Sequence, residues 1–193
     1  MASATFRSKV FRKTDQEVRR AFTKLQAQGD KEKNKLTGLV LDLRNDPGGL
    51  LDQAIAVTDL FVDEGGLSPH GVVTISREAR AQPGDTLPYL PMVTLINEGT
   101  ASAAEIVAGA LQDLKRSPLL GTQSFGKGSV QNIDLEDGSA LKITIARYFT
   151  PNGRPIQNVG NTPDMYVSSQ STAVQEIDMI REKDLQNRIG NHG

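Results

Sequence analysis

The segment GTQSFGKGSVQNIDLEDGSALKITIARYF, Gly121 to Phe149, decides the fold, because its opening is one residue away from a phosphate-binding loop. That loop reads G-x-x-x-x-G-K-[ST]. Here Gly121, Gly126 and Lys127 stand at the required spacing, and Gly128 takes the place of the Mg²⁺-binding hydroxyl. A phosphate loop must open a helix, whose amino terminus turns amides and dipole toward the phosphates. The residues after Lys127 are instead strand-like: GSVQNIDL, then EDGS, then ALKITIARYF, in which Leu141, Ile143 and Ile145 alternate with Lys142, Thr144 and Ala146. Period-two alternation around an Asp-Gly turn predicts a β-hairpin with Lys127 at the entry to its first strand, and the nucleotide reading is set aside.

Upstream of this hairpin the chain repeats strand, glycine-rich turn and helix. MVTLIN (Met92–Asn97) runs through EGTAS into AAEIVAGALQDLKR, where Ile106, Val107, Ala110, Leu111 and Leu114 form one apolar stripe. GLVLDL (Gly38–Leu43) is a continuous apolar run of the kind buried on both faces of a sheet; RNDPGG ends it, and Leu51, Ala54, Ile55, Thr58 and Val62 then recur at helical spacing. Val72–Ser76 reads as a further strand, followed by a turn-rich loop to Pro91. Near the start, TFRSKVF predicts a strand. A helix comes next, in which Thr14 and Glu17 make a capping box, Val18, Ala21, Phe22 and Leu25 make the apolar face, and Gly29 is the stop. This order predicts an α/β fold with helices covering a largely parallel sheet.

Composition narrows the chemistry. At 193 residues the chain has the size of one domain. Lysine plus arginine (22) nearly balance aspartate plus glutamate (23), which leaves no broad basic footprint for nucleic acid or an anionic membrane. No apolar run reaches the roughly 18 to 20 residues of a membrane span, and MASATFRSKV lacks the apolar centre of a signal peptide. The absence of cysteine excludes disulfides, thiolate metal sites and a cysteine nucleophile. Of the two histidines, His70 lies in the turn-like LSPHG and His192 in the terminal NHG, neither a setting that fixes a triad member. A base acting near neutral pH is therefore expected to be another residue.

Three glycine-marked corners carry candidate groups: RNDPGG at a strand end, NEGTASAAE at a strand-to-helix turn, and FGKGSVQ at a strand start. Ser102 and Glu105 match S-x-x-E, so Ser102 reads either as an N-cap with Glu105 as its partner, or as a nucleophile presented on a sharp turn with the Ala103 amide facing a developing oxyanion. Lys127 reads either as a solvated turn lysine or as the base for that serine, kept neutral by apolar neighbours such as Phe125 and Val130. Gln131 would orient its amine, or serve as an ordinary strand residue. Gly48 and Gly49 would supply a second oxyanion amide, or form a plain turn.

Taken in order, GLVLDLRNDPGGLLDQAI, LINEGTASAAEIVAGALQDLKR, GTQSFGKGSVQNIDLEDGSALKITIARYFTPNGRPIQ and TPD resemble the C-terminal processing peptidases, or tail-specific proteases, a family of Ser/Lys endopeptidases. The resemblance runs from about Gly38 to Asp164 and implies a layered α/β core of the caseinolytic protease and crotonase type. It implies Ser102 as nucleophile, Lys127 as base, Gln131 as support for the lysine, and the amides of Ala103 and Gly48, with Gly49 as the alternative, as the oxyanion hole. It also implies an acyl-enzyme mechanism without metal or cofactor, and a site of action outside the cytoplasm: periplasm, cell surface or chloroplast lumen. The expected partners are unfolded proteins or protein C-terminal tails, with neither nucleic acid nor membrane insertion; the resemblance leaves the oligomeric state open.

Within a single peptidase domain spanning 1–193, the expected parts are a strand and helix at 1–37, a catalytic core at 38–168, and a helix and tail at 169–193. Family members normally carry a PDZ domain before the core, and the chain reads as the core without it. The stretch from Gly65 to Pro88 looks altered, and Glu98 stands where a small residue is usual. Pointing inward, Glu98 would pair with Lys127 and hold it charged. A latent or non-catalytic peptide-binding core is the alternative reading, and an acyl-CoA enzyme of the crotonase type comes third, since nothing reads as a nucleotide site.

Overall fold

Alternating burial along the central strands sets the architecture of the computed structural model, which describes residues 2–7, 14–63, 87–134, 140–168 and 180–185, excepting the side chains of 2–7 and 130–146. In strand β2 (Leu36–Asp42) and just beyond it, Leu39, Leu41 and Leu43 are buried on one face, while on the other Val40 is half-buried and only Asp42 is buried. In β3 (Met92–Ile96), Met92, Thr94 and Ile96 are buried while Val93 and Leu95 are half-buried. One face of the sheet is thus fully covered and the other partly, where continuous apolarity predicts equal burial of both. The reason is that a strand with one fully covered face needs deep burial only at alternate positions.

The sheet has five strands in the order β1 (Ala2–Arg7), β2, β3, β4 (Leu119–Gly121) and β7 (Met165–Tyr166), every neighbouring pair parallel. Parallel neighbours require crossovers, and helices supply three of them. α1 (Thr14–Lys31) joins β1 to β2, α2 (Leu51–Asp59) joins β2 to β3, and α3 (Ala103–Asp113) joins β3 to β4. α2 packs on both α1 and α3, and Val18, Phe22, Leu41, Val57, Ile96, Val107 and Leu111 belong to one apolar core. α1 continues two residues past Gly29, whose carbonyl accepts the Asn34 amide at 2.8 Å, so the reversal comes after Lys31.

β5 (Ser129–Asp134) and β6 (Ala140–Arg147) pair antiparallel as a separate two-stranded sheet, as the alternation after Lys127 predicts; the Asp137-Gly138 turn lies outside the described residues. No helix opens at Lys127, which removes the structural requirement of a phosphate loop. After β6 the chain folds back on α3: the Arg154 guanidinium bonds Asp113 and Gln112, and the Asn152 amide donates to Asp113 Oδ2 at 2.8 Å. Asp164 of TPD both donates its amide to the Leu119 carbonyl and accepts the Leu119 amide, which joins β7 to β4. A 3-10 turn, Glu182–Asp184, closes the described chain. Val72–Ser76, His70, His192 and most of 169–193 lie outside the described residues. Among the described residues no helix is long and apolar enough to cross a membrane.

Candidate active site

The three glycine-marked corners meet at the carboxyl ends of β2 and β3. Between β3 and α3 the chain turns sharply at Asn97–Ser102, and this turn is bonded directly to the RNDPGG corner. Thr100 Oγ1 donates to the Leu43 carbonyl at 2.7 Å, the Ala101 amide donates to the Asp46 carbonyl at 2.8 Å, and the Asn97 and Asn45 side chains pair at 3.0 Å. Asp42 and Arg44 form a two-pronged ion pair, 2.8 Å on each prong, that braces the end of β2.

Ser102 has φ 54° and ψ −120°. An ordinary N-cap is extended, and a β-substituted residue with positive φ lies outside the common wells, at a cost of about 1 to 3 kcal/mol. The Glu105 carboxylate does reach back to the Ser102 amide at 2.9 Å, as a capping box requires. Capping accounts for that bond but not for the dihedral angles. A serine held in strain at a strand-to-helix turn is the arrangement that lifts a hydroxyl out of the helix start for attack.

Gly48 is pressed against this turn. Its φ is +86°, and a Cβ there would lie 2.6 Å from both the Ala101 carbonyl oxygen and the Ala103 nitrogen. The Gly48 amide, however, donates to the buried Asp46 carboxylate at 2.8 Å. It is therefore already engaged, whereas the Gly49 and Ala103 amides have no acceptor among the described residues. Of the two glycines expected as the second oxyanion donor, Gly49 is thus the one whose amide is unengaged among the described residues.

The third corner is joined to the second by Glu105, a role the local S-x-x-E reading does not reveal. This side chain is fully buried. One of its oxygens accepts from the Ser102 amide (2.9 Å) and the Lys127 amide (2.8 Å); the other accepts from the Gly126 amide (2.7 Å) and the Ser124 hydroxyl (2.6 Å). Burial pushes its carboxyl up to about 7, against the opposing pull of those four donors. A signal for this role does stand in the sequence: Glu105 is the one charged residue in the buried run Ala103–Leu111. Phe125 adds a backbone bond to the Thr100 carbonyl at 2.9 Å.

Lys127 projects from this bonded loop with an exposed side chain, where the sequence suggests burial beside apolar neighbours; Val130, one of the two expected, has its side chain outside the described residues. Glu98, the expected competitor, instead accepts the Thr122 hydroxyl at 2.7 Å. Gln131 sits on β5 opposite Thr144, with register shifts on both sides; its side chain is outside the described set.

The model of peptidase family S41 matches residues 3–167. Over 141 residues the chain is 52% identical to a carboxy-terminal-processing protease of Bartonella bacilliformis, an alignment covering 69% of this chain and 32% of the relative. Over 169 residues it is 40% identical to a chloroplastic C-terminal processing peptidase of Tetradesmus obliquus, covering 86% and 34%. Among solved structures, a photosystem II D1 C-terminal processing protease superposes with a TM-score of 0.74 at 37% identity, covering 86% of this chain and 42% of that one. The chain spans about a third of the length of the curated relatives it matches.

Proposed function

The chain belongs to peptidase family S41, and on that premise we propose that it carries the nucleophile, base and oxyanion amides of a serine endopeptidase acting on protein C-terminal tails. Ser102 Oγ attacks the scissile carbonyl while Lys127 Nζ takes its proton. The Gly49 and Ala103 amides hold the oxygen that becomes negative, and the lysine passes the proton to the departing amine. Water then attacks the acyl-serine by the same route and releases the product. Gln131 supports the lysine from β5.

The observation that carries this reading is the strained Ser102 turn tied through the Glu105 carboxylate to the Lys127 backbone. Purified variants test it against an unfolded protein. Ser102→Ala and Lys127→Ala should each reduce cleavage by more than about a thousandfold with little change in melting temperature; wild-type cleavage by either one overturns the dyad. Ser102→Gly should be equally inactive yet no less stable than Ser102→Ala, since glycine accepts the positive φ. The exposure of Lys127 favours a second reading, a latent core that binds peptides without turnover. Tight binding of an unfolded peptide with no cleavage over hours supports that alternative, and Ser102-dependent cleavage excludes it. An extracytoplasmic setting, such as the chloroplast named for one relative, goes with the peptidase reading.

A further inference from the structure

The side chain of Lys127 is exposed, so what the surrounding fold fixes is the backbone point from which its amine extends. That backbone, Gly126-Lys127-Gly128, belongs to neither a helix nor a strand. Its three consecutive amides are held by side chains from two directions. Glu105 on α3 takes the first two. The third, Gly128, donates to Gln157 Oε1 at 2.9 Å.

Gln157 is fully buried, and its amide orientation is forced by its neighbours. Its oxygen must meet the Gly128 N–H, and its nitrogen must meet the acceptors Asn158 Oδ1 and Glu182 Oε1, both at 3.1 Å. Glu182, also buried, arrives on the 180–185 segment, whose backbone joins the same loop through its amide to the Phe125 carbonyl at 3.2 Å. The backbones also pack closely here: a Cβ on Gly128 would lie 2.4 Å from the Gln157 backbone nitrogen, and the Asn158 backbone amide donates to the Gly126 carbonyl at 2.7 Å.

We propose that Gln157, held in turn by Glu182, is a positioning residue that, together with Glu105, fixes the Lys127 backbone and so places the amine against Ser102. The proposal rests on the reading of Lys127 as base. Its contribution lies in the register of the proton transfer rather than in contact with substrate. A displacement of about 1 Å in a reacting group costs roughly a hundredfold in rate.

The test reads the rate at which Ser102 of the full 193-residue chain is labelled by a serine-directed fluorophosphonate, beside kcat and KM on an unfolded protein. Gln157→Leu should lower labelling and kcat by about a hundredfold while leaving KM within about threefold. Gln157→Glu should also be impaired, because it sets two carboxylates together. Adding Glu182→Gln to it exchanges the donor and acceptor, with one carboxylate now accepting from the Gly128 amide, from the new side-chain amide and, once the Asn158 side-chain amide turns over, from Asn158, and should restore labelling to within about threefold of wild type. Rescue of this kind is not expected of a residue that only fills space. If Gln157→Leu unfolds, the single and double exchanges decide alone. Wild-type labelling in folded Gln157→Leu or in Gln157→Glu, or no recovery in the double variant, overturns the proposal. Wild-type labelling in Lys127→Ala removes its premise instead, and so separates the failure of the base assignment from the failure of Gln157.

Discussion

The turn of Ser102, the proposed nucleophile, and the loop of Lys127, the proposed base, reach the same site by different routes. Asn97–Ser102 lies between a strand and a helix adjacent in sequence, and its bonds to Leu43 and Asp46 run along the ends of neighbouring strands. Ser124–Gly128 has no regular structure of its own. Helix α3, the 156–161 segment and the 180–185 segment all hold it, across separations of 19 to 57 residues. The turn of the proposed nucleophile is therefore strained and tied to a strand end 52 to 57 residues earlier in the chain, whereas the loop of the proposed base is held mostly by chain that follows it. Glu105 belongs to both, which makes it the place where the distinction can be tested.

Removing the shared residue should produce the largest effect. Glu105→Leu leaves four donors without an acceptor in a buried place, and should cost on the order of 4 kcal/mol in denaturant unfolding and eliminate Ser102 labelling. A substitution on one side only should separate the regions. Gly48→Ala forces a Cβ into the Ala101–Ala103 turn, with an expected loss of about 1 to 3 kcal/mol and roughly a hundredfold in labelling. Hydrogen exchange should then quicken at the 97–102 amides and leave those of 126–128 protected.

Acidification should act on the shared carboxylate more gently. With its carboxyl at about 7, Glu105 takes up a proton as pH falls through that value, and the proton then opposes the donors that join the two loops. Labelling should decline over that interval. Stability should move the other way: the folded state holds this proton more tightly than the unfolded chain, whose carboxyl lies near 4.5. The penalty of burying the carboxylate is then complete above about 7 and is relieved as pH falls toward 4.5. In Glu105→Gln the part of both trends due to this group should vanish, as melting curves and labelling rates across pH would reveal. The smallest effect belongs at the edge of the site. Thr122→Val loses the bond to Glu98, should cost about 1 kcal/mol, and should leave labelling unchanged.

The same contrast explains what could be read from the residues alone. α2, α3, β3 and the β5–β6 pairing arise from local periodicity, and so does the rejection of the phosphate loop, since each depends on neighbours a few positions away. The three residues of β4 and the two of β7 are too few to show a period; their pairing depends on Asp164 joining them across 45 residues. Ser102, Lys127 and the Pro47–Gly49 turn stand out through glycine and through family resemblance. The choice between Gly48 and Gly49 depends on where one amide points, which spacing does not encode. Glu105 matches a local motif well enough to hide its longer reach, and Gln157 has no local mark at all.

The distance between Gly128 and Glu182 also has a meaning in time. On a ribosome adding about 5 to 20 residues per second, roughly 50 residues must still be made after the base loop emerges before its last brace exists, an interval of several seconds. Throughout it the serine turn can already be folded, because everything that shapes it has been synthesised. A nascent chain would thus hold Ser102 in its turn while Lys127 is still out of register, and would bring the proposed pair together only after the 180–185 segment has been made.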